Sequence, residues 1–426
     1  MSTLDLSVSV AGIKFRNPIL PGSAELAADE RTVKRCIDSG VGGIVTKSFT
    51  DVPLLSTRPR PYHFHYRKFG YADSWLTITR ADTVPWQEAL EKKLPGMVKL
   101  CADAGIPIIA SLCGGTDFDG WMNMARGFRD VGVDGLELNF SCPQTEHVKD
   151  DIPVGTSVGE NFELTRKIIG EIKKATGLPL FPKLSPMHQP VERFVKNWID
   201  AGASGIAAHN GALGILIDTE AEEPFGAPYN CGYLPGRAFL PQSLARIVQI
   251  KQCMPDVEVS GIGGVFEPED VIQYLLAGCA TVQVCSGIYL RGYSLFPILI
   301  DGLKEWMQRK GYTKINDFLG KALKLIGEPP PESHPMPFPT ESPTPYYPTI
   351  DLSKCDYCGI CAEVCMYEAI DCDQEKHKIT VDDQKCWGCG ICVGICPIDD
   401  TVVLIDRKTK EVVWDNRGLA SKLRPI

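Results

Sequence analysis

Eight short apolar stretches alternating with amphipathic ones, a proline-rich break and two identical cysteine spacings predict an α/β protein in two parts. Residues 1–327 read as a (β/α)8 TIM barrel and residues 351–426 as a ferredoxin-like α+β domain, with 328–350 as a Pro-rich linker. An open, doubly wound sheet is the rival arrangement for the larger part. Eight near-continuous apolar strands within about 270 residues suit a closed parallel barrel better.

The strands are expected at PILPGSA (18–24), GGIVTKSF (42–49), IPIIASLCG (106–114), GLELNFSCP (135–143), LPLFPKLSP (178–186), GIAAHNG (205–211), VEVSGIGG (257–264) and TVQVCSGI (281–288). Between them lie helical stretches such as 30–40, 160–177, 190–202 and 268–278. Several of these end at Gly, as helices often do. The hairpin-like LSVSVAGIKFRNP (6–18) is expected to cover the barrel bottom. After a helical stretch over 295–326, nine prolines between Pro329 and Pro348 mark an extended connector, because Pro locks φ and removes a donor.

Composition narrows the class. Hydrophobic residues at 44% and charged residues at 23% describe a globular chain with a large core. A net charge of −9 disfavours nucleic-acid and anionic-membrane partners. The longest apolar runs are strand-sized, too short for a bilayer, and the N-terminal residues lack a signal-peptide pattern, so a cytoplasmic location is expected. In that setting, 17 cysteines point to metal or redox chemistry rather than disulfides.

Eight of those cysteines lie in CDYCGICAEVC (355–365) and CWGCGICVGICP (386–397), two copies of C-x2-C-x2-C-x3-C. Zinc sites also use paired CxxC motifs, but not this third-and-fourth spacing. The double pattern matches two 4Fe–4S clusters in which the last Cys of each run serves the other cluster. The expected sets are Cys355, Cys358, Cys361 and Cys396, and Cys386, Cys389, Cys392 and Cys365. Tyr357 and Trp387 would shield the clusters, and Cys372 is not expected to be a ligand.

Two clusters carry single electrons, so the barrel needs a group that trades them for hydride equivalents, and flavin is the common one. Polar residues collect where the strands end: Ser23, Lys47, Asn139, Cys142, Lys183, Asn210, Gly263 and Ser286. In a barrel those ends share one face. The glycines of SGIGG and CSG follow the last two strands, where barrels hold a phosphate on backbone N–H groups. Lys47 and Lys183 read equally well as charges beside a reduced flavin or as partners of loop carboxylates.

NPILPGSA, TKSF, NFSCPQ, PKLSP, HNG, GIGG and QVCSG, in this order ahead of a two-cluster tail, closely resemble the dihydroorotate dehydrogenase-like family. Within it they are most similar to its bacterial dihydropyrimidine-dehydrogenase branch, whose catalytic subunits carry FMN and iron–sulfur clusters. The resemblance implies an FMN barrel that interconverts a cyclic C=C bond and its dihydro form. It places FMN contacts on Ser23, Lys47, Ser48, Asn139, Lys183, Gly236, Gly263, Gly264, Cys285 and Ser286. It places the active-site cysteine on Cys142 and substrate contacts on Asn139, Ser141, Gln144 and Asn210.

An unperturbed thiol, with a pKa of about 8.5, is mostly protonated at neutral pH, so Cys142 suits a proton donor. The loop over 143–160 would close above it. The expected reaction is reduction of uracil or thymine. An NAD(P)H-oxidising FAD subunit or a ferredoxin would supply electrons, in a homo-oligomer of such heteromers, since the chain lacks a second dinucleotide motif.

Three features depart from the pyrimidine reducers: Gly211 stands where Thr usually follows the asparagine, His209 precedes it, and 71–90 lacks an asparagine. Another conjugated cyclic carbonyl compound is therefore the alternative substrate. A non-catalytic flavin and iron–sulfur relay is a third reading. His63 and His65 read as ordinary extended residues, and Cys36, Cys101, Cys253 and Cys279 as core thiols, with Cys113 and Cys231 open.

Overall fold

In a computed structural model of the chain, residues 4–52, 63–65, 73–77, 83–142, 153–224, 232–326 and 344–416 are described. Gln144, Cys231, most of the 143–160 loop and the prolines before Thr344 lie outside them. The chain divides into two compact units, Met1–Ile326 and Gly327–Ile426.

The first unit is built on eight parallel strands: β1 (Ile19–Pro21), β2 (Ile44–Val45), β3 (Ile108–Cys113), β4 (Gly135–Asn139), β5 (Leu180–Lys183), β6 (Ile206–Ala208), β7 (Val259–Ile262) and β8 (Thr281–Val284). Pairing runs β2–β3–β4–β5–β6–β7–β8–β1, as in a TIM barrel. At the remaining seam the Gly42 N–H donates to Ile19 O at 2.8 Å, which brings the start of β2 against β1. Only glycine fits there, since a Cβ on Gly42 would stand 1.8 Å from Asn17 O.

The strands are short because both faces are buried. β3 shows no exposed residue over its whole length, so apolar side chains fill the barrel on one side and meet helices on the other. The helices are bounded as their sequences predict. Phe162–Thr176 starts at Asn161, whose side chain accepts from the Leu164 N–H, and stops at Gly177 with φ +69°. Its Ile168, Ile169 and Ile172 are buried.

The hairpin of Val8–Val10 and Ile13–Phe15 covers the N-terminal ends of the strands, as expected. A Cβ on Gly43 would meet the Phe15 ring at 2.8 Å, and one on Gly135 would meet Ile13 at 3.1 Å.

Several details differ from the sequence reading. Ser286–Arg291 is helical rather than the end of a strand, because the chain turns after Cys285 to cover the barrel mouth. A four-stranded antiparallel sheet of Ala212–Gly214, Gly232–Leu234, Trp75–Thr77 and His63–His65 joins the segments after β2 and β6. These strands are too short to carry a periodic signal. Cys36, Cys101 and Cys279 are buried, but Cys253 is exposed at the end of its helix.

In the second unit, Tyr346–Ile350, assigned above to the linker, pairs with Val402–Asp406, which pairs in turn with Val412–Trp414. The prolines at 345 and 348 obscure that strand, which sits at the edge of its sheet. Each cysteine run enters a short helix, Ile360–Glu363 or Ile391–Ile395, through a glycine of positive φ, Gly359 or Gly390. Among the described residues no helix is long and apolar enough to cross a membrane.

Candidate active site

A cleft of about 790 Å³ opens at the C-terminal ends of the strands. Of the residues expected to hold a cofactor, Ser23, Lys47, Lys183, Gly236, Gly263, Gly264, Cys285 and Ser286 line it, and Asn210 lines it as well. Glu25, Thr77, His209, Gly211, Tyr233, Phe239, Gln283 and Tyr289 are also in the wall.

Ser48, Asn139 and Ser141 reach the cleft through hydrogen bonds. Ser48 Oγ lies 3.3 Å from Ser23 Oγ and accepts from Asn139 Nδ2 at 3.2 Å. Asn139 Oδ1 accepts from Ser141 N (3.2 Å) and Oγ (2.8 Å). Asn210 Nδ2 donates to Ser141 O (3.3 Å) and Oγ (3.2 Å), and its Oδ1 accepts from Gly211 N at 2.9 Å. The two asparagines expected at the substrate are thus tied together through Ser141, with side-chain orientations set by the network.

Cys142 is buried two residues beyond Phe140 and is not among the lining residues. Its carbonyl accepts from Thr156 N (3.0 Å) and Thr156 Oγ1 (3.1 Å). Gly155, with φ +54°, passes so close that a Cβ on it would lie 2.6 Å from Cys142 Cβ. Phe140 is packed between Trp121 and Trp198, with centroids at 5.3 and 5.6 Å, which anchors the backbone from Asn139 to Cys142.

Both lysines have carboxylate partners that sequence reasoning did not name. Lys47 Nζ lies 3.1 Å from Glu25 Oε1, and the Tyr289 hydroxyl donates to the other oxygen of Glu25. Lys183 Nζ lies 3.1 Å from Glu137 Oε1 in the barrel interior, where Glu137 is 1% exposed. Glu137 had a signal, a lone acid inside the apolar strand GLELNF. Glu25, at the start of a single turn of helix, had none.

Burial sets the remaining charges. It pushes the Cys285 thiol up to about 12, with Glu25 adding and Lys183 and Lys47 opposing, so the thiol stays neutral. Burial takes the His209 imidazole down to about 4, against the effect of its hydrogen bond to Asn210 and with Arg246 and Lys183 adding. A neutral His209 whose Nδ1 donates to Asn210 O at 2.7 Å presents Nε2 as an acceptor. That Nε2 and Gln283 Oε1 are buried and find no hydrogen-bond partner among the described residues.

In the second unit a smaller cavity of about 360 Å³ is lined by Cys365, Cys386, Cys389 and Cys392. The thiol of Cys392 has Cys386, Cys389, Cys361 and Cys365 as charge neighbours, and that of Cys361 has Cys358, Cys372, Cys355 and Cys396. Among the described residues no group of three or more His, Cys, Asp or Glu side chains is gathered closely enough to hold a metal ion, so the crossed sets rest on the spacing of the two runs. Backbone N–H groups of Tyr357, Ala369 and Gly388 point at the sulfurs of Cys355, Cys365 and Cys386 at 3.3 to 3.4 Å. Trp387 stacks on Tyr367 at 5.6 Å, and Tyr357 on His377 at 5.2 Å. Cys372 also neighbours Cys361, with its Sγ 3.8 Å from Tyr357 O.

A model of the dihydroorotate dehydrogenase family matches residues 5–307, and one of the 4Fe–4S dicluster domain matches 354–399. The chain belongs to the dihydroorotate dehydrogenase family. It is 28% identical over 373 residues to the NAD-dependent dihydropyrimidine dehydrogenase subunit PreA of Escherichia coli, covering 86% of each chain. It is 29% identical over 343 residues to the chloroplastic dihydropyrimidine dehydrogenase (NADP(+)) of Arabidopsis thaliana, covering 76% of this chain and 78% of that one. To the catalytic subunit of dihydroorotate dehydrogenase B (NAD(+)) of Pyrococcus abyssi it is 28% identical over 320 residues, 75% of this chain and 100% of that one.

The chain is accordingly a flavin oxidoreductase of this family with a 4Fe–4S domain. The cleft fits a flavin nucleotide on its own terms. It offers two ammonium groups, Lys47 and Lys183, and two buried acceptors without a partner among the described residues, His209 Nε2 and Gln283 Oε1. Gly263 and Gly264, with φ of +124° and +69°, hold backbone open at one wall in conformations that side chains disfavour.

Proposed function

We propose that this protein interconverts the C=C and CH–CH forms of a small cyclic substrate, with reduction of uracil or thymine to the dihydropyrimidine as the leading reaction. The observation that carries the reading is the Asn139–Ser141–Asn210 chain, two oriented amides between a lysine-lined cleft and Cys142. Amide side chains fixed in this way match the alternating N–H and C=O edge of a pyrimidine ring.

FMN, when bound, supplies hydride from ring N5 and exchanges single electrons. The protein does the rest. Gly236, Gly263, Gly264 and Ser286 would hold the phosphate, and Lys47 and Lys183 would balance charge on the reduced ring. Asn139 and Asn210 orient the substrate, and Cys142, as a thiol, gives a proton to the ring carbon on the face away from the flavin. Ser141 locks both amides, so the reacting carbon is presented in one pose.

The second unit would hold two 4Fe–4S clusters on the crossed ligand sets. Electrons would come from a separate FAD-bearing, NAD(P)H-oxidising subunit, or from a ferredoxin. The relatives whose names call them subunits support such a partner. A cytoplasmic homo-oligomer of these pairs completes the proposal.

One observation favours a different ring. A Cβ on Gly211 would lie 3.0 Å from Tyr233 Cδ2, so the threonine familiar at 211 has no room while Tyr233 keeps its place. The segment after β2 brings Thr77, not an asparagine, to the wall. These exchanges favour a conjugated carbonyl ring with fewer polar edges.

Anaerobic photoreduction of the FMN-loaded protein, followed by uracil, thymine, orotate and cyclic enones, separates the readings by which compound reoxidises the flavin. Fast reoxidation by uracil or thymine supports the first, and by an enone alone the second. Cys142→Ala should retain FMN and lose turnover ~10²–10⁴-fold, the usual share of general acid catalysis. Unchanged turnover would leave only the electron-relay reading.

A further inference from the structure

Glu137 lies beneath the cleft rather than in it, on the interior face of β4. A fully buried carboxylate is costly unless several donors satisfy it, and Glu137 has three. Lys183 Nζ (3.1 Å) and Ser111 Oγ (3.2 Å) donate to Oε1, and Gln283 Nε2 (3.0 Å) donates to Oε2. Two of these donors, Lys183 and Gln283, also line the cleft.

The consequence for Gln283 follows from its inventory of bonds. A carboxylate only accepts, so the amide must turn its nitrogen toward Glu137. The same nitrogen donates to Ser260 Oγ at 3.3 Å, which uses its second proton. Gln283 Oε1 is then left buried, with no hydrogen-bond partner among the described residues. The ammonium of Lys183 is likewise directed by its ion pair.

We propose that Glu137 is a positioning residue for the flavin, holding Lys183 as a donor of the cleft and turning Gln283 so that its carbonyl is an acceptor. A flavin's pyrimidine edge requires such a pair, because its C2 carbonyl accepts beside an N3–H that donates. The inference rests on reading the cleft as the FMN site and deepens it by naming what orders the ring's recognition.

The test uses the full chain, with clusters in place, depleted of FMN and titrated with FMN by flavin fluorescence. Glu137→Gln strands the Lys183 charge and removes the demand that orients Gln283, so FMN should bind ~10-fold or more weakly, the usual scale of a charge-assisted bond. Glu137→Asp keeps the charge and should restore most of the affinity. In a Lys183→Met, Gln283→Met background, which leaves Glu137 neither group to position, the effect of Glu137→Gln should vanish or reverse, since the substitution then removes an unpaired buried carboxylate. Cluster absorbance and circular dichroism report whether each variant is folded. Should E137Q alone not fold, E137D and the K183M/Q283M background carry the comparison.

The same fold loss from E137Q in both backgrounds, or no rescue by E137D, would overturn the inference while leaving the FMN reading intact. A wild-type chain that takes up no FMN would overturn both.

Discussion

Gly264→Ala isolates what the glycine wall of the cleft costs to disturb. Two independent penalties apply. Gly264 has φ +69°, where an L side chain is disfavoured by about 1–2 kcal/mol. The new Cβ would also stand 2.6 Å from Leu240 N and 2.9 Å from Leu240 Cα, backbone atoms that no rotamer change can clear. Leu240 opens the helix Leu240–Cys253, so relief requires moving either the helix or the loop by several tenths of an ångström, typically at about 1–3 kcal/mol.

The sum is about 2–5 kcal/mol, a large part of an ordinary domain's stability. Gly311→Ala is the internal control, because its φ is +75° but a Cβ there meets nothing within 4 Å. It should pay only the conformational cost. Scanning calorimetry of the barrel transition in both variants, with an FMN titration, reads the difference, and Gly264→Ala should bind FMN at least tenfold more weakly than Gly311→Ala. Equal destabilisation of the two variants, with equal FMN affinity, would refute the steric argument.

Cys396→Ser should remove the cluster held with Cys355, Cys358 and Cys361 although it lies in the other run, halving the reduced-cluster spin count in electron paramagnetic resonance. Cys372→Ser should leave the spin count unchanged, and a loss equal to that of Cys396→Ser would show the ligand sets to be wrong. Acid should weaken the FMN-free barrel early. Burial holds the imidazoles of His188 and His209 at about 4 instead of 6.5, so between those values the unfolded chain binds protons that the native one refuses. Stability then falls as pH drops from about 6.5 to 4, by up to ~3 kcal/mol for each histidine. Urea unfolding at pH 7 and pH 5 measures this, and a flat profile would contradict it.

Much of the fold was legible because its signals are local. All eight barrel strands lie inside their predicted stretches, since a strand buried on both faces is a continuous apolar run between turns. The edges were less legible: the turn at Cys285 into Ser286–Arg291 and the paired strand Tyr346–Ile350 depend on what lies beside them. At the site, Lys47 and Lys183 stood out as charges ending apolar strands, whereas Glu25 and Glu137 gained meaning only when the barrel brought them within 3.1 Å of those lysines.

The sequence by itself determined the family, the barrel and the residues at the strand ends, because spacing and periodicity are properties of the chain. The tertiary structure alone decided that Ser141 ties Asn139 to Asn210, that Tyr233 occupies the space above Gly211, and that Glu137 accepts hydrogen bonds from both Lys183 and Gln283. Those pairs are separated by up to 146 residues, and no local pattern records a contact that exists only when strands from distant segments close into one barrel.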